Sequence, residues 1–94
     1  DLILVEEATT AKNNHIVVAC LNHNEFTVKR FAVKGTPLFK KCESILKEKN
    51  ISLNDKTQAY LFPENPTFVP KPFGLDDGDR IVGLVLSLYR NHIS

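Results

Sequence analysis

One helix signal constrains the fold of this sequence more than any other feature. Thr36 is a favoured N-cap residue, and Pro37 suits the first helical position that follows it. The apolar residues that come next have helical spacing: Leu38, Cys42, Ile45 and Leu46. Asn50 tolerates the left-handed backbone that ends many helices. The pattern predicts one amphipathic helix over residues 37–49.

A proline-rich segment excludes a second long helix after the strand predicted at residues 58–62. Residues 63–74, PENPTFVPKPFG, contain four prolines, which lack the backbone N–H that helices and central strands need. The segment is therefore predicted to be an ordered connection at the edge of a sheet. Phe68, Val69 and Phe73 are predicted to hold it to the core.

Three other segments have the composition of strands. Residues 15–22 and 25–34 flank the polar turn NHN and predict a β-hairpin. Arg80–Tyr89 is apolar on both faces, which is typical of a strand inside a sheet with a helix on at least one side.

Residues 25–34 do not alternate regularly. Phe26 and Val28 have one parity, whereas Phe31 and Val33 have the other. A β-bulge near residues 29–30 would bring all four side chains to the core. The alternative is a strand that is covered on both faces.

The length of 94 residues suffices for one domain. We expect a segment at 1–14, which is either a strand or an acidic-aliphatic tail, a domain at 15–90 and a tail at 91–94. The chain lacks methionine, so a fragment or a processed product is expected.

A net charge of +1 favours no class of partner, and no apolar run is long enough to span a membrane. Cys20 and Cys42 are interpreted as buried reduced thiols, with a disulfide as the alternative.

The order of elements predicts an α+β protein with the β-grasp (ubiquitin-like) fold. It would have a mixed sheet of four to five strands, with the first and last strands side by side and the helix 37–49 across one face. Residues 31–46, FAVKGTPLFKKCESIL, resemble the second strand and helix start of SUMO. Residues 59–85 resemble the later part of ubiquitin-like proteins. The acidic turn within that stretch is similar to SUMO and to the SUMO-like domains of genome-maintenance adaptors.

The resemblance implies a groove between the second strand, taken as the outer one, and the helix. A partner peptide would add there as another strand, and lysines at the rim would select acidic neighbours. The residues of this predicted groove are Lys29, Arg30, Phe31, Val33, Lys34, Leu38, Lys41, Cys42 and Leu46. The alternative is a solvated edge that its lysines protect from aggregation.

Two further segments have both a structural and a binding interpretation. Asp76, Asp77 and Asp79 are typical of a turn, and the resemblance implies an acidic docking surface for a SUMO-conjugating enzyme. Leu2, Ile3, Leu4 and Val5, between acidic residues, resemble a SUMO-interacting segment. They could instead form an edge strand of this domain, or exchange with a second copy to give a homodimer.

These features together predict a non-catalytic protein-interaction domain of a larger nuclear or cytoplasmic protein. Neither cysteine has a histidine in a paired position, and no metal-ligand or phosphate-loop spacing occurs, so no enzyme, metal or cofactor is expected. The expected partners are proteins of the SUMO or ubiquitin pathway. A nucleic-acid-binding domain that uses the lysine-rich strand and a Ras-association-like signalling domain are the alternatives. Nucleic acid is not favoured as a partner because few aromatic residues lie among the lysines, and no membrane contact is expected.

Overall fold

The structure, a computed structural model, describes residues 2–89, with side chains over residues 5–86. The predicted tail at 91–94 lies outside the described residues. The elements in chain order are β1 (Leu2–Glu7), β2 (Ile16–Leu21), β3 (Glu25–Val33), α1 (Pro37–Glu48), β4 (Ala59–Phe62), β5 (Lys71–Phe73) and β6 (Arg80–Tyr89). Within the described residues, no helix is long and apolar enough to cross a membrane.

The described strands form one six-stranded sheet in the order β1-β6-β2-β3-β4-β5. Each neighbouring pair in it is antiparallel. The β-grasp prediction is therefore wrong, because that fold needs a mixed sheet with parallel terminal strands at its centre. Here β1 lies at an edge and runs antiparallel to β6, so the two strands pair with Leu2 opposite Tyr89.

The predicted helix is confirmed. The Thr36 hydroxyl accepts a hydrogen bond from the Phe39 backbone N–H, Pro37 occupies the first turn, and Asn50 has a positive φ of 59°. The buried face is rotated slightly from the predicted stripe, because the side chains that it buries are those of Phe39, Cys42 and Leu46. The aromatic ring of Phe39 packs on Tyr60 of β4, with centroids 4.8 Å apart.

The sheet buries apolar side chains on both faces. The face toward α1 holds Ala32 and Tyr60, which pack with the buried residues of the helix. The buried members of the opposite face come from four strands: Val17, Ala19, Leu21, Phe31, Ala59, Leu61 and Ile81. We call this second group the inner core. Phe73 of β5 packs on it edge to face with Phe31.

The bulge predicted near residues 29–30 is wrong. The pairing of β3 with β2 and β4 continues through these residues without a shift. The irregularities lie elsewhere, between Leu4 and Val5 and between Val18 and Ala19. As a result, Phe26 and Val28 stay on the face away from the inner core, with 62% and 48% of their surface exposed.

The proline-rich segment forms the predicted edge connection and contains the short strand β5, which lies at the border of the sheet. Val69 packs against the helix-side cluster, and Phe73 packs against the inner core. Phe68 does not help to hold the segment, because 62% of its surface is exposed.

Candidate functional site

The side chain of Lys29 lies on the inner-core face of the sheet. In antiparallel pairs, residues directly opposite each other share a face. Lys29 is opposite Val17, and Val17 is opposite Leu84 on β6. Because β3 has no bulge, Lys29 also shares a face with Phe31, which belongs to the inner core. A lysine here is unusual, since a charged side chain on an apolar face loses hydration.

Lys29 lines a cleft beside the inner core, which we call the Lys29 cleft. Its volume is about 250 Å³. The residues that line it are Leu21, Glu25, Thr27, Lys29, Leu61, Phe68, Val69 and Lys71. Four of these residues are apolar and four are polar or charged, and a combination of apolar surface with a few polar groups is the character of many ligand and catalytic sites.

The Lys29 amine is held against its own strand. Its Nζ donates to the Thr27 hydroxyl oxygen at 2.8 Å and to the Val28 carbonyl oxygen at 3.3 Å. Thr27 and Lys29 are two positions apart on β3 and therefore point to the same face. Both side chains are half-buried. The amine is thus fixed at the rim of the Lys29 cleft without a carboxylate among these contacts.

The other charged groups of the cleft form a weak pair. Lys71 Nζ lies 3.8 Å from Glu25 Oε2, and both side chains are more than half exposed. Such a pair is screened by solvent and contributes little to stability. It nevertheless gives the carboxylate of Glu25 a partner other than Lys29.

β3 is paired on both sides along only part of its length. Arg30–Val33 pair with β4, whereas within the described pairing residues 25–29 bond to β2 alone. The expectation that the strand is an outer edge strand is wrong over residues 30–33, which lie between two neighbours. The half of β3 that carries Lys29 borders the cleft instead.

The predicted groove residues are divided between several environments. Phe31 packs in the inner core, and Cys42 and Leu46 are buried under the helix. Lys41 lies over the Phe62 ring, with Nζ 5.2 Å from the centroid. The remaining members are placed as follows: Arg30 pairs with Glu64 at 2.8 Å, Lys34 is exposed, and Val33 and Leu38 are half-buried. Partner binding by these residues stays a prediction, and Lys29 has a different position from the one expected.

The acidic turn is a structural connection between two loops. Asp79 accepts hydrogen bonds from the backbone N–H groups of Asn22 and Gly74, and Asp76 accepts one from Gly78. Asp77 is exposed and has none of these contacts. Docking of a partner on this surface stays a prediction.

The first strand pairs within the chain. Residues Leu2–Glu7 form β1 at the edge of the sheet, and their register with β6 runs from Leu2 opposite Tyr89 to Glu7 opposite Gly83. This arrangement agrees with the edge-strand alternative. It leaves the backbone of Leu2–Val5 already paired on one side.

The two cysteines are buried free thiols. Cys20 lies in β2, and Cys42 lies on the buried face of α1. Burial raises the pKa of the Cys42 thiol to about 11. A thiol of this kind is mainly protonated at neutral pH and is a poor nucleophile.

The fold and site define a mainly antiparallel β domain with a lysine in an apolar cleft. The chain is similar to LexA repressors: it is 34% identical to that of Limosilactobacillus reuteri over 93 residues, covering 99% of this chain and 33% of the relative. It is 36% identical to that of Oceanobacillus iheyensis over 91 residues, covering 97% of this chain and 32% of the relative. It is also 49% identical to the protein MucA of Salmonella typhimurium over 37 residues, or 39% of this chain and 25% of MucA. The chain spans about a third of the length of the LexA repressors that it matches. No family model and no solved structure matches it.

These similarities overturn several predictions. The ubiquitin-like and SUMO-like assignment is wrong, and so is the adaptor function that depended on it. Partners from the SUMO or ubiquitin pathway, and the exclusion of nucleic acid, conflict with similarity to a repressor. The relatives are bacterial proteins, which agrees with a cytoplasmic location and gives no support to a nuclear one.

Sequence reasoning missed the contact between Thr27 and Lys29 and the orientation of Lys29. The available signal was the alternation of side chains along β3. Thr27 and Lys29 are at odd-numbered positions, like the apolar residues Phe31 and Val33, and so lie on the same face of a regular strand. A lysine in the core-facing register of a strand is a candidate functional residue, because such burial needs a compensating reason. The bulge assumed near residues 29–30 placed Lys29 on the exposed face, so this lysine was not recognised as a core-facing residue.

Proposed function

We propose that this chain is the part of a LexA-like or MucA-like protein that supplies the lysine of a serine–lysine self-cleavage site. The chain takes part in catalysis in this proposal, which replaces the prediction of a non-enzyme. That prediction is contradicted, because the LexA-like and MucA-like proteins to which the chain is similar include self-cleaving serine peptidases. The position of Lys29 in an apolar cleft is the single observation that carries the proposal.

The proposed chemistry is acyl transfer with Lys29 as the general base. Its neutral amine takes the proton of a serine hydroxyl as the serine oxygen attacks a peptide carbonyl. The resulting ammonium then gives that proton to the departing amine, and water hydrolyses the acyl-serine. Serine–lysine arrangements are a known variant of the serine–histidine–aspartate triad.

The nucleophile is assigned to another part of the full polypeptide. Among the side chains described over residues 5–86, no serine lines the Lys29 cleft. Ser44 and Ser52 are exposed and are not part of that wall. The relatives are about three times as long as the aligned region, so a longer polypeptide has room for this residue.

The test uses the full polypeptide that contains this chain, purified and incubated alone over a range of pH. Intact mass spectrometry follows the appearance of fragments. We expect cleavage to accelerate as the pH rises, because a lysine acts as a base only when its amine is neutral. Lys29→Ala should abolish the reaction. Lys29→Arg should abolish it too, since a guanidinium keeps its proton.

Lys40→Ala is the matched control. Lys40 is an exposed lysine on α1 and does not line the Lys29 cleft. The control should cleave at the wild-type rate. Cleavage by Lys29→Ala at that rate, or no cleavage of the wild-type protein at any pH, would show that the proposal is wrong.

A further inference from the structure

We propose that a second surface, formed by α1 and the proline-rich segment, binds an acidic peptide of a partner protein. This surface is a groove with a volume of about 480 Å³, which we call the α1 groove. Its main lining residues are Lys41, Ile45, Lys49, Phe62, Pro66 and Phe68. Lys29 does not line the α1 groove, so this inference goes beyond the proposed function and does not depend on it.

The α1 groove has an apolar surface that is open to solvent. Ile45 and Phe62 are half-buried, whereas Pro66 and Phe68 are exposed. Phe68 alone leaves 62% of its surface in contact with water. Covering such a surface with an apolar side chain is favourable, because both partners lose apolar area to water. The α1 groove therefore favours a ligand with an aromatic or large aliphatic residue.

The proline-rich wall of the α1 groove is preformed. Asn65 Oδ1 accepts hydrogen bonds from the Thr67 backbone N–H at 3.0 Å and from the Thr67 hydroxyl at 2.9 Å. The Asn65 carbonyl oxygen accepts one from the Phe68 N–H at 3.1 Å, which closes a turn. Arg30 Nε ties this segment to β3 through Glu64 Oε1 at 2.8 Å. A wall that is fixed in this way loses little conformational entropy when a ligand binds.

The charges around the α1 groove favour a negatively charged ligand. Lys41 and Lys49 contribute two ammonium groups, and Glu48 and Glu64 contribute two carboxylates. Positive charge is in excess because Arg30 pairs with Glu64. Among the side chains described over residues 5–86, neither lysine amine of the groove forms an ion pair. Both amines are therefore available to the carboxylates of a ligand.

Lys41 is held in a position that suits this role. Its Nζ lies over the Phe62 ring, 5.2 Å from the centroid, and the attraction between the cation and the ring restrains the side chain. An ammonium group has three N–H donors. The side of the group that faces away from the ring remains free for a carboxylate. One residue pair thus offers an apolar contact and a charge next to each other.

The two lysines define the spacing of the acidic residues in the ligand. Lys41, Ile45 and Lys49 follow one another at intervals of four residues, so they share one side of α1. At about 1.5 Å per residue, the two lysines are about 12 Å apart along the helix, with Ile45 between them. An extended peptide advances about 3.3 Å per residue, and its alternate side chains share a face. Glutamates four positions apart, with an aromatic residue midway, therefore match the α1 groove.

The test measures peptide binding to the full polypeptide. Lys29→Ala is included in every sample so that the self-cleavage proposed above does not occur. The probe is the fluorescein-labelled peptide Gly-Glu-Ala-Phe-Ala-Glu-Gly, and fluorescence anisotropy gives its dissociation constant. We expect saturable binding that weakens at high salt, because ion pairs at a surface are screened. Changing both glutamates to glutamine should weaken binding by about 3- to 20-fold. Changing the phenylalanine to alanine should weaken it by about 10-fold.

Variants of the protein test the sign and the position of the charges. Lys41→Ala and Lys49→Ala should each weaken binding by about 2- to 5-fold. Glu48→Gln should strengthen it by about 2-fold, because a carboxylate that repels the peptide is removed. Lys47→Ala is the matched control: Lys47 is an exposed lysine of α1 that does not line the groove, so the affinity should be unchanged. The thermal unfolding midpoint of each variant shows whether it is folded.

NMR spectroscopy locates the bound peptide. This measurement is needed because Phe68 also lines the Lys29 cleft. We expect changes in amide chemical shift at residues 41–49 and 62–68. Changes at Thr27 and Lys71 without changes at residues 41–49 would place the peptide in the Lys29 cleft and overturn the inference.

Three other results would also overturn it. The first is the absence of binding, and the second is an equal loss of affinity in Lys41→Ala and Lys47→Ala. The third is a different occupant of the α1 groove. Displacement of the peptide by a lower concentration of a single-stranded oligonucleotide would assign the groove to nucleic acid. Self-association of the polypeptide that the peptide blocks would assign it to a second copy.

Discussion

Asp79 accepts a hydrogen bond from the backbone N–H of Asn22 at 3.2 Å, although the two residues are 57 positions apart in the chain. The other oxygen of the same carboxylate accepts from the N–H of Gly74 at 3.1 Å. The side chain thus joins the turn between β2 and β3 to the loop that precedes β6. Both contacts are charge-assisted, which makes them stronger than hydrogen bonds between neutral groups.

We expect Asp79→Ala to lower the free energy of unfolding by about 1–3 kcal/mol, because two backbone donors lose their acceptor. Urea unfolding of the purified protein, followed by circular dichroism, measures the change. Asp77→Ala is the control, since Asp77 is exposed and lacks such contacts, and it should change stability by less than about 0.5 kcal/mol. Equal effects of the two substitutions would contradict the structural role of Asp79.

Gly83 lets β1 approach β6 closely. A Cβ at this position would lie 2.7 Å from Val5 Cγ1 and 3.1 Å from the Glu6 carbonyl oxygen. Gly83→Ala should therefore destabilise the protein by about 1–3 kcal/mol through overpacking. The same urea titration measures the loss.

The double substitution Gly83→Ala with Val5→Ala tests the cause of that loss. Val5→Ala removes the atom that would be closest, and 51% of the Val5 surface is exposed, so its own effect should be small. The double variant should regain part of the stability lost in Gly83→Ala. Simple addition of the two single effects would mean that the Val5 contact is not responsible.

The two phenylalanines of the proline-rich segment should differ in their effect on stability. Phe73 meets the Phe31 ring edge to face, with centroids 5.6 Å apart, whereas Phe68 is 62% exposed. We expect Phe73→Ala to cost about 2–4 kcal/mol and Phe68→Ala less than about 1 kcal/mol. Thermal and urea unfolding give the free energy of unfolding of both variants. A larger decrease in Phe68→Ala than in Phe73→Ala would contradict the packing of these two rings.

Stability should fall in alkaline solution because of Cys42. Burial raises the pKa of its thiol to about 11 in the folded protein, whereas an exposed thiol in the unfolded chain ionises near pH ~8.5–9. The unfolded state therefore releases this proton first as the pH rises. The contribution of the thiol is complete below pH ~9 and is lost by pH ~11, amounting to about 2–3 kcal/mol.

The measurement compares the free energy of unfolding of wild type and Cys42→Ala from pH 8 to pH 11. Cys42→Ala should show a shallower decline, although it starts from lower stability because of the cavity in the core. Burial also raises the pKa of Tyr60 in both proteins, and the charge of Cys42 adds to that rise in wild type alone. Parallel curves for the two proteins would refute the prediction.

The sequence predicted those features that depend on a few neighbouring residues. Thr36, Pro37 and Asn50 act within one turn of the chain, and they fixed the helix ends correctly. The prolines of residues 63–74 likewise excluded a second helix. Strand pairing depends on distant segments, and the composition of β1 and β6 does not reveal whether they run parallel or antiparallel. The β-grasp prediction was wrong because it assumed parallel pairing of β1 with β6, whereas the two strands are antiparallel.

The candidate site was lost through one local assumption. A bulge near residues 29–30 was used to gather Phe26, Val28, Phe31 and Val33 on one face. The structure instead leaves Phe26 and Val28 exposed and turns Lys29 inward. If regular alternation had been assumed for β3, the sequence would have pointed to Lys29 as a core-facing residue. Phe26 and Val28 would then have been expected on the exposed face. The contact with Thr27 depends on side-chain geometry, which sequence patterns do not supply.

The antiparallel pairing of β1 with β6 has a mechanical consequence. Leu2 lies opposite Tyr89, so the outer ends of both strands are at the same end of the ladder. A pulling force applied at these two points would separate the rungs one after another, like a zipper. Parallel terminal strands would instead carry such a load in shear across all rungs at once. This domain should therefore yield to low force and open first at its edge strand.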